Sequence, residues 1–196
     1  MIKILSCIKE KDTWIIEVES HNLYIDGKGG QIGDQGYIGD TKFLTVKDDK
    51  KIIVENEIAP GEYTYTVDTN RVFDIGVQHT AQHLFSSIAY NDYGLNTVGF
   101  RMTETYTTVD LDSKDLDENF VDELERKINS AIGEGRAILE KIVTRDEANS
   151  IDTFRKKISD KVTGDVRIIT IDNMDTSACA GYHVSDISEI RVFKII

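Results

Sequence analysis

Two pairs of metal-capable side chains stand about a hundred residues apart in this chain, and its fold must either bring them together or leave both idle. The first is His79-Thr80-Ala81-Gln82-His83 and the second Cys179-Ala180-Gly181-Tyr182-His183. They use three of the four histidines and one of the two cysteines. On a helix, i and i+4 share a face about one turn apart. Imidazole and thiolate are ligands that Zn²⁺ prefers, and four of them complete a tetrahedral shell. The separation is not that of a zinc finger. Thr80 and Ala81 occupy the place where a zinc protease needs its glutamate base, which excludes that class. A single transition-metal site, zinc first, is the reading that remains. Four protein ligands is the count of a closed structural site, whereas a catalytic site keeps a position open, and spacing alone leaves both readings standing.

Hydrophobic periodicity divides the chain near Asp68. Before it, the runs 2–8, 13–19, 42–46, 51–54 and 63–67 are short and apolar or alternating, as half-buried strands are. Short strands so spaced favour a small barrel. After it, 70–93 reads as a helix with Val72, Ile75, His79, Gln82, His83 and Ser86 on one stripe and Gly94 as its stop. Strands are expected at 95–101 and 106–111, and an acid-led helix at 116–132 on Phe120, Leu124, Ile128 and Ile132. Further strands are expected at 137–143, 166–171 and 189–195, with a short helix at 145–150. The segment around Cys179 is rich in small residues, which predicts a turn entering the last strand. The expectation is an α+β protein with a β domain at 1–68 and an α+β domain at 69–196.

No apolar run approaches the roughly 20 residues of a membrane span. The N-terminus is charged too early for a signal peptide. Two distant cysteines argue for a reducing compartment, and the cytoplasm is expected. The net charge of −12 opposes tight binding to a phosphate backbone, whose affinity comes largely from Lys and Arg. Arg155-Lys156-Lys157 with Lys161, and Arg126-Lys127, are the candidate basic patches; ordinary solvated faces are the plainer reading.

Both ligand pairs resemble the HxxxH and CxxxH motifs of the alanyl-tRNA synthetase editing domain and of its free-standing relatives, the AlaX alanyl-tRNA editing proteins. Gly29-Gly30-Gln31-Ile32-Gly33-Asp34-Gln35-Gly36 is similar to that family's GGQxGDxG segment. Gln78 to Leu84 resembles its QHTxQHL stretch, Thr97-Val98-Gly99-Phe100 with Thr108 to Asp112 its TVGF…TIDLD run, and His183 to Ile195 its THV…GEI…FKI ending. The matches keep the family's order along nearly the whole chain. Tyr182, Ser185 to Ser188 and Arg101 depart from it.

The resemblance implies a translation-factor-like barrel followed by an editing domain of the kind shared with threonyl-tRNA synthetases. It implies one zinc per chain on His79, His83, Cys179 and His183; His183 is expected to be the looser ligand, because a Gly-containing turn holds it less firmly than the helix holds His79 and His83. It implies a trans-editing hydrolase that deacylates mischarged tRNA(Ala), carrying serine first and glycine second, by cleaving the aminoacyl ester. The Gly-rich loop, with Gly29, Gly30, Gly33, Asp34 and Gly36, would reach from the barrel towards the metal cleft and present Gln31. Gln82 and Thr97 would grip a substrate hydroxyl, and Asp110 is a remote candidate for general base. For each of these four side chains the plainer reading is a polar contact within the fold, or an exposed strand position for Asp110. The expected partner is mischarged tRNA, with no DNA and no membrane, and a monomer is expected. The chain would start in the barrel and stop at the editing domain. Two other classes remain: a non-catalytic, zinc-stabilised module that docks tRNA or a synthetase, and a different small-molecule hydrolase.

Overall fold

The computed structural model describes residues 1–114, 116–155, 158 and 163–196. They form two units, one of Met1–Ile75 with Met102–Glu104, the other of Gly76–Arg101 with Thr105–Ile196.

The first unit is an antiparallel sheet of β1 (Ile2–Glu10), β2 (Thr13–Val18), β3 (Gly36–Ile38), β4 (Thr41–Val46), β5 (Lys51–Val54), β6 (Gly61–Tyr63) and β7 (Tyr65–Val67). Their order is β6-β1-β2-β5-β4-β3-β7. The two edge strands are consecutive in sequence, with only Thr64 between them. The ends of the sheet are therefore brought together by the chain itself, and the sheet is a nearly closed barrel. Irregular registers at Ile4/Ser6 of β1 and Phe43/Thr45 of β4 supply local bends that curvature requires. Alternate residues point inwards: Ile2 and Ile4, Ile16 and Val18, and Ile52 and Val54 join Ile38, Phe43 and Val46 in one core. The alternation at 63–67, expected to be one strand, is divided between two, because Tyr63 pairs with Ile2 of β1 and Tyr65 with Ile38 of β3. The three-residue β3 was not expected.

In the Gly-rich segment, Gly29 and Gly30 adopt positive φ around a 3-10 turn, Lys28–Gly30. Gly36 has another reason to lack a side chain. A Cβ there would collide with the Thr66 carbonyl of β7. Asp34, almost fully buried, accepts the Tyr24 N–H at 2.8 Å. These roles need no ligand.

The second unit contains most of the long helix α1 (Thr69–Tyr93), all of the hairpin strand β8 (Thr97–Met102) but Met102, its partner β9 (Thr107–Leu111), and α2 (Glu118–Glu134). An antiparallel sheet of β10 (Ile138–Val143), β11 (Val166–Ile171) and β12 (Asp175–Ala178) completes it, with α3 (Arg145–Asn149) between β10 and β11. Helix α2 starts two residues later than its apolar stripe suggested, because Asp117 caps it by accepting the Phe120 N–H at 2.8 Å. Its Leu124, Ile128, Ala131 and Ile132 pack with Leu84, Phe85, Ile88 and Ala89 of α1. Burying a side chain of this size is worth about 1.5–3 kcal/mol. The architecture is α+β, with helices and an antiparallel sheet sharing the core. No described helix is long and apolar enough to cross a membrane.

Two expectations fail here. Helix α1 was read as a one-faced stripe, but from His79 to Ala89 every residue is buried. Its polar side chains are therefore interior groups that need partners. The final strand expected at 189–195 is a 3-10 turn, Ile187–Ile190, followed by irregular chain. Side chains of α2 take the place of a neighbouring strand. The Phe193 N–H donates to Asn129 Oδ1 at 2.9 Å, Asn129 Nδ2 donates back to its carbonyl at 2.8 Å, and the Ile195 N–H donates to Glu125 at 2.7 Å.

Candidate metal centre

Helix α1 carries His79 and His83 one turn apart, as their spacing expects. The Cys179–His183 segment leaves the end of β12 as a loop. Sequence reading placed it in a turn entering a strand; in the structure it leaves one. Arg167 of β11 braces the loop from behind, donating to the carbonyls of Cys179 at 3.1 Å and Gly181 at 2.6 Å while pairing with Glu140 at 2.7 Å. On the other side, Gly76 of α1 lets the loop approach: a Cβ there would stand 3.2 Å from the His183 carbonyl carbon.

The result is a convergence of four ligand atoms, from His79, His83, Cys179 and His183, all within 4.8 Å of one another. Cys179 Sγ lies 3.4 Å from His79 Nε2 and 3.3 Å from His183 Nε2. Tetrahedral zinc with ordinary Zn–N and Zn–S lengths would separate such atoms by about 3.5 Å. The donor set and spacing therefore fit one metal ion.

Electrostatics agree with that chemistry. Burial opposes ionisation of the Cys179 thiol, but hydrogen bonds to His183, His79 and His83 outweigh it and bring its pKa down to about 2. Burial opposes protonation of His83, yet its hydrogen bonds to Asp175 and Cys179 raise it to about 9. His183 is lowered to about 4, first by burial, and further by His83 and His79 against the opposing pull of Cys179. Cys179 is thus held towards the thiolate form that a metal cation binds.

Several supporting residues were not legible beforehand. Asp175 of β12 accepts from His83 Nδ1 at 3.2 Å, leaving Nε2 for the cluster. Thr80 is fully buried, with its hydroxyl 3.0 Å from His183 Nδ1 and accepting the Val184 N–H at 3.3 Å. Phe100 of β8 sets its ring 5.2 Å from that of His79. The only sequence signal was helical spacing from the ligands, which Thr80 and Ser86 have and Asp175 and Phe100 lack.

Of the four candidate substrate residues, Gln82 and Thr97 are joined through the buried Ser86. Gln82 Nε2 donates to Ser86 Oγ at 2.7 Å, and the Ser86 and Thr97 hydroxyls are 2.6 Å apart. Asp110 is exposed on β9, with its carboxylate against Gly99 of β8. Gln31 is buried and belongs to the first unit, as does the whole Gly-rich segment.

Two cations of the basic patches, Arg155 and Lys127, are engaged within the fold. Arg155 turns inwards to Asp175 at 2.9 Å, while Lys156, Lys157 and Lys161 lie outside the described residues. Lys127 pairs with Asp92 at 2.7 Å and stands over the Tyr93 ring; Arg126 is exposed.

Residues 166–196, which hold β11, β12 and the Cys179–His183 loop, match the family model described as the threonyl and alanyl tRNA synthetase second additional domain. Similarity to individual proteins extends much further. The chain is 29% identical over 185 residues to the alanyl-tRNA editing protein Aarsd1 of Bos taurus, covering 92% of this chain and 41% of that protein. It is 30% identical over 178 residues to Aarsd1-B of Xenopus laevis, covering 89% and 43%. The alanyl-tRNA editing protein AlaX-L of Pyrococcus horikoshii is 24% identical over 206 residues, covering 99% and 50%. The chain spans half or less of the length of these relatives. Along nearly all of its own length the chain is thus similar to proteins named for alanyl-tRNA editing, and the domain match falls at the second ligand pair.

Proposed function

We propose that this chain is a zinc-dependent deacylase of mischarged tRNA(Ala), with seryl-tRNA(Ala) the first substrate and glycyl-tRNA(Ala) the second. The observation that carries the reading is the convergence of His79, His83, Cys179 and His183. It occurs in a chain similar over most of its length to proteins named for alanyl-tRNA editing. In this reading, residues 1–68 are the translation-factor-like barrel and 69–196 the editing domain, one zinc binds per chain, and the protein works as a cytoplasmic monomer.

When bound, zinc would polarise a carbonyl or lower the pKa of a water to about 7. The chain's own residues do the rest. The thiolate and three imidazoles fix the ion's position. Positioning ester and water together removes an entropic cost from a reaction whose ester is already activated. Gln82 and Thr97, tied through Ser86, are the polar lining we assign to a serine hydroxyl. A site that hydrogen-bonds a hydroxyl rejects the analogue lacking it far better than pocket size excludes a smaller side chain. Gln31 and the backbone of the Gly-rich loop are assigned to the substrate, and Asp110 is kept as the remote general base.

A non-catalytic zinc module is favoured by one observation, the count of four protein side chains in the cluster. Incubating the protein with mischarged tRNA(Ala), with and without a chelator, separates the two. Free amino acid released by the zinc-loaded protein and lost on chelation supports the enzyme. Tight zinc with no release at any protein concentration supports the module.

A further inference from the structure

His83 and His183 both belong to the cluster, yet their outward nitrogens are held very differently. Behind His83, Asp175 is a carboxylate whose side chain is 1% exposed. Its Oδ2 accepts from His83 Nδ1 at 3.2 Å and from the Ser177 hydroxyl at 2.8 Å. Its Oδ1 accepts from Arg155 Nε at 2.9 Å. Arg155 also reaches Ser177 Oγ at 3.4 Å, and its backbone N–H donates to the Thr176 carbonyl of β12 at 3.4 Å. The carboxylate is thus fixed at both oxygens. The hydrogen-bond partner of His183 Nδ1 among the described residues is a neutral hydroxyl, that of Thr80.

We propose that Asp175 and Arg155 are positioning residues for the metal centre: Arg155 fixes Asp175, and Asp175 holds His83 as the Nδ1–H tautomer with Nε2 turned to the ion. The inference rests on the metal reading above and deepens it. A carboxylate behind a ligating imidazole orients the ring and makes it a better donor, and such partners matter nearly as much as the ligands. Arg155 therefore has a task that its place in a basic run conceals. It neutralises a carboxylate that would otherwise be an uncompensated buried charge, the costliest way to leave one. Thr80 does less for His183, because a hydroxyl accepts a hydrogen bond without adding charge to the imidazole. The cluster then has one rigid imidazole, His83, and one more weakly supported, His183.

The test is zinc affinity, measured on the full chain by competition with a chromophoric chelator, for the wild type and for Asp175→Asn, Asp175→Ala, Arg155→Met, Arg155→Lys and Thr80→Val. Loss of an outer partner typically weakens a metal site about 10–100-fold. Asp175→Ala should lie in that range, Asp175→Asn near its lower end, and Thr80→Val below both. Arg155→Met should weaken zinc about threefold to tenfold, Arg155→Lys should recover most of it, and neither should matter once Asp175 is Ala. The Co²⁺-loaded protein gives an independent readout. Its visible absorption should change in Asp175→Asn, and a merely structural role would leave it alone. The proposal is overturned if folded Asp175→Asn binds zinc within about twofold of wild type. It is equally overturned if Arg155→Met costs the same factor with and without Asp175. Should Asp175→Ala not fold, the Arg155→Met and Arg155→Lys pair decides: equal affinities for both and the wild type would end the proposal. Failure to deacylate any tRNA while these affinity differences persist would sink the enzyme reading and leave the positioning role standing.

Discussion

Replacing Ser86 by alanine removes one oxygen from the interior of α1, and the structure sets what that should cost. Ser86 is fully buried. Its hydroxyl accepts from Gln82 at 2.7 Å and shares a hydrogen bond with Thr97 at 2.6 Å. Alanine leaves a buried amide donor and a hydroxyl each short of a partner, and each such loss costs about 1–3 kcal/mol. Better helix propensity returns at most about 0.5 kcal/mol. Gln82 is buried but Thr97 is only half-buried, so water can replace part of its bond. The net expectation is a loss of about 2 kcal/mol. Urea denaturation of the zinc-loaded protein should show this as a lower midpoint with an unchanged slope. A double-mutant cycle with Thr97→Val should give a coupling of about 0.5–3 kcal/mol. If the chain of hydrogen bonds also sets substrate choice, Ser86→Ala should narrow the preference for seryl- over alanyl-tRNA. A stability loss below about 0.5 kcal/mol, with no coupling to Thr97, would refute the reasoning, because buried groups left unpaired cannot be that cheap.

Three further outcomes are expected. Cys179→Ala or His79→Ala should abolish stoichiometric zinc, measured by elemental analysis of protein purified without chelator; full zinc in either variant would remove that residue from the ligand set. Gln31→Ala should keep its zinc and slow deacylation in single-turnover assays, whereas unchanged turnover would make the Gly-rich loop structural only. Asn129→Ala removes both bonds to Phe193 and should cost about 1–3 kcal/mol, with faster amide hydrogen exchange at residues 193–196; unaltered exchange there would show that Asn129 does not anchor the C-terminal segment.

What the sequence disclosed depended on whether the forces were local. The change of period near Asp68, the α1 and α2 helices and most strands are written in hydrophobic spacing, which reports local geometry directly. The His79–His83 pair was legible because i, i+4 spacing fixes it on one helix face, whereas its convergence with Cys179 and His183 was expected from donor chemistry and the family resemblance. β12 was not, because Asp175-Thr176-Ser177-Ala178 has no apolar alternation and owes its strand form to pairing with β11. The C-terminal segment failed in the opposite sense. Val192, Phe193 and Ile195 look like strand residues, but Asn129 and Glu125, more than sixty positions away, satisfy its backbone. Asp175 and Arg155 read as surface charges by residue type, and only tertiary contact turns them inwards. Burial on all sides from His79 to Ala89 was also concealed, since Thr80 and Ser87 fall off the stripe and look like solvent-facing residues until their partners are known.

The central claim is selective removal of serine from tRNA(Ala), and the direct measurement is kcat/KM for seryl- and alanyl-tRNA(Ala) cleaved by the same zinc-loaded protein. Alanine would leave the polar lining unpaired in a partly desolvated site, at about 1–3 kcal/mol, so seryl-tRNA should be preferred by roughly tenfold or more, and the preference should shrink in Gln82→Ala. Equal rates on the two tRNAs would contradict the account.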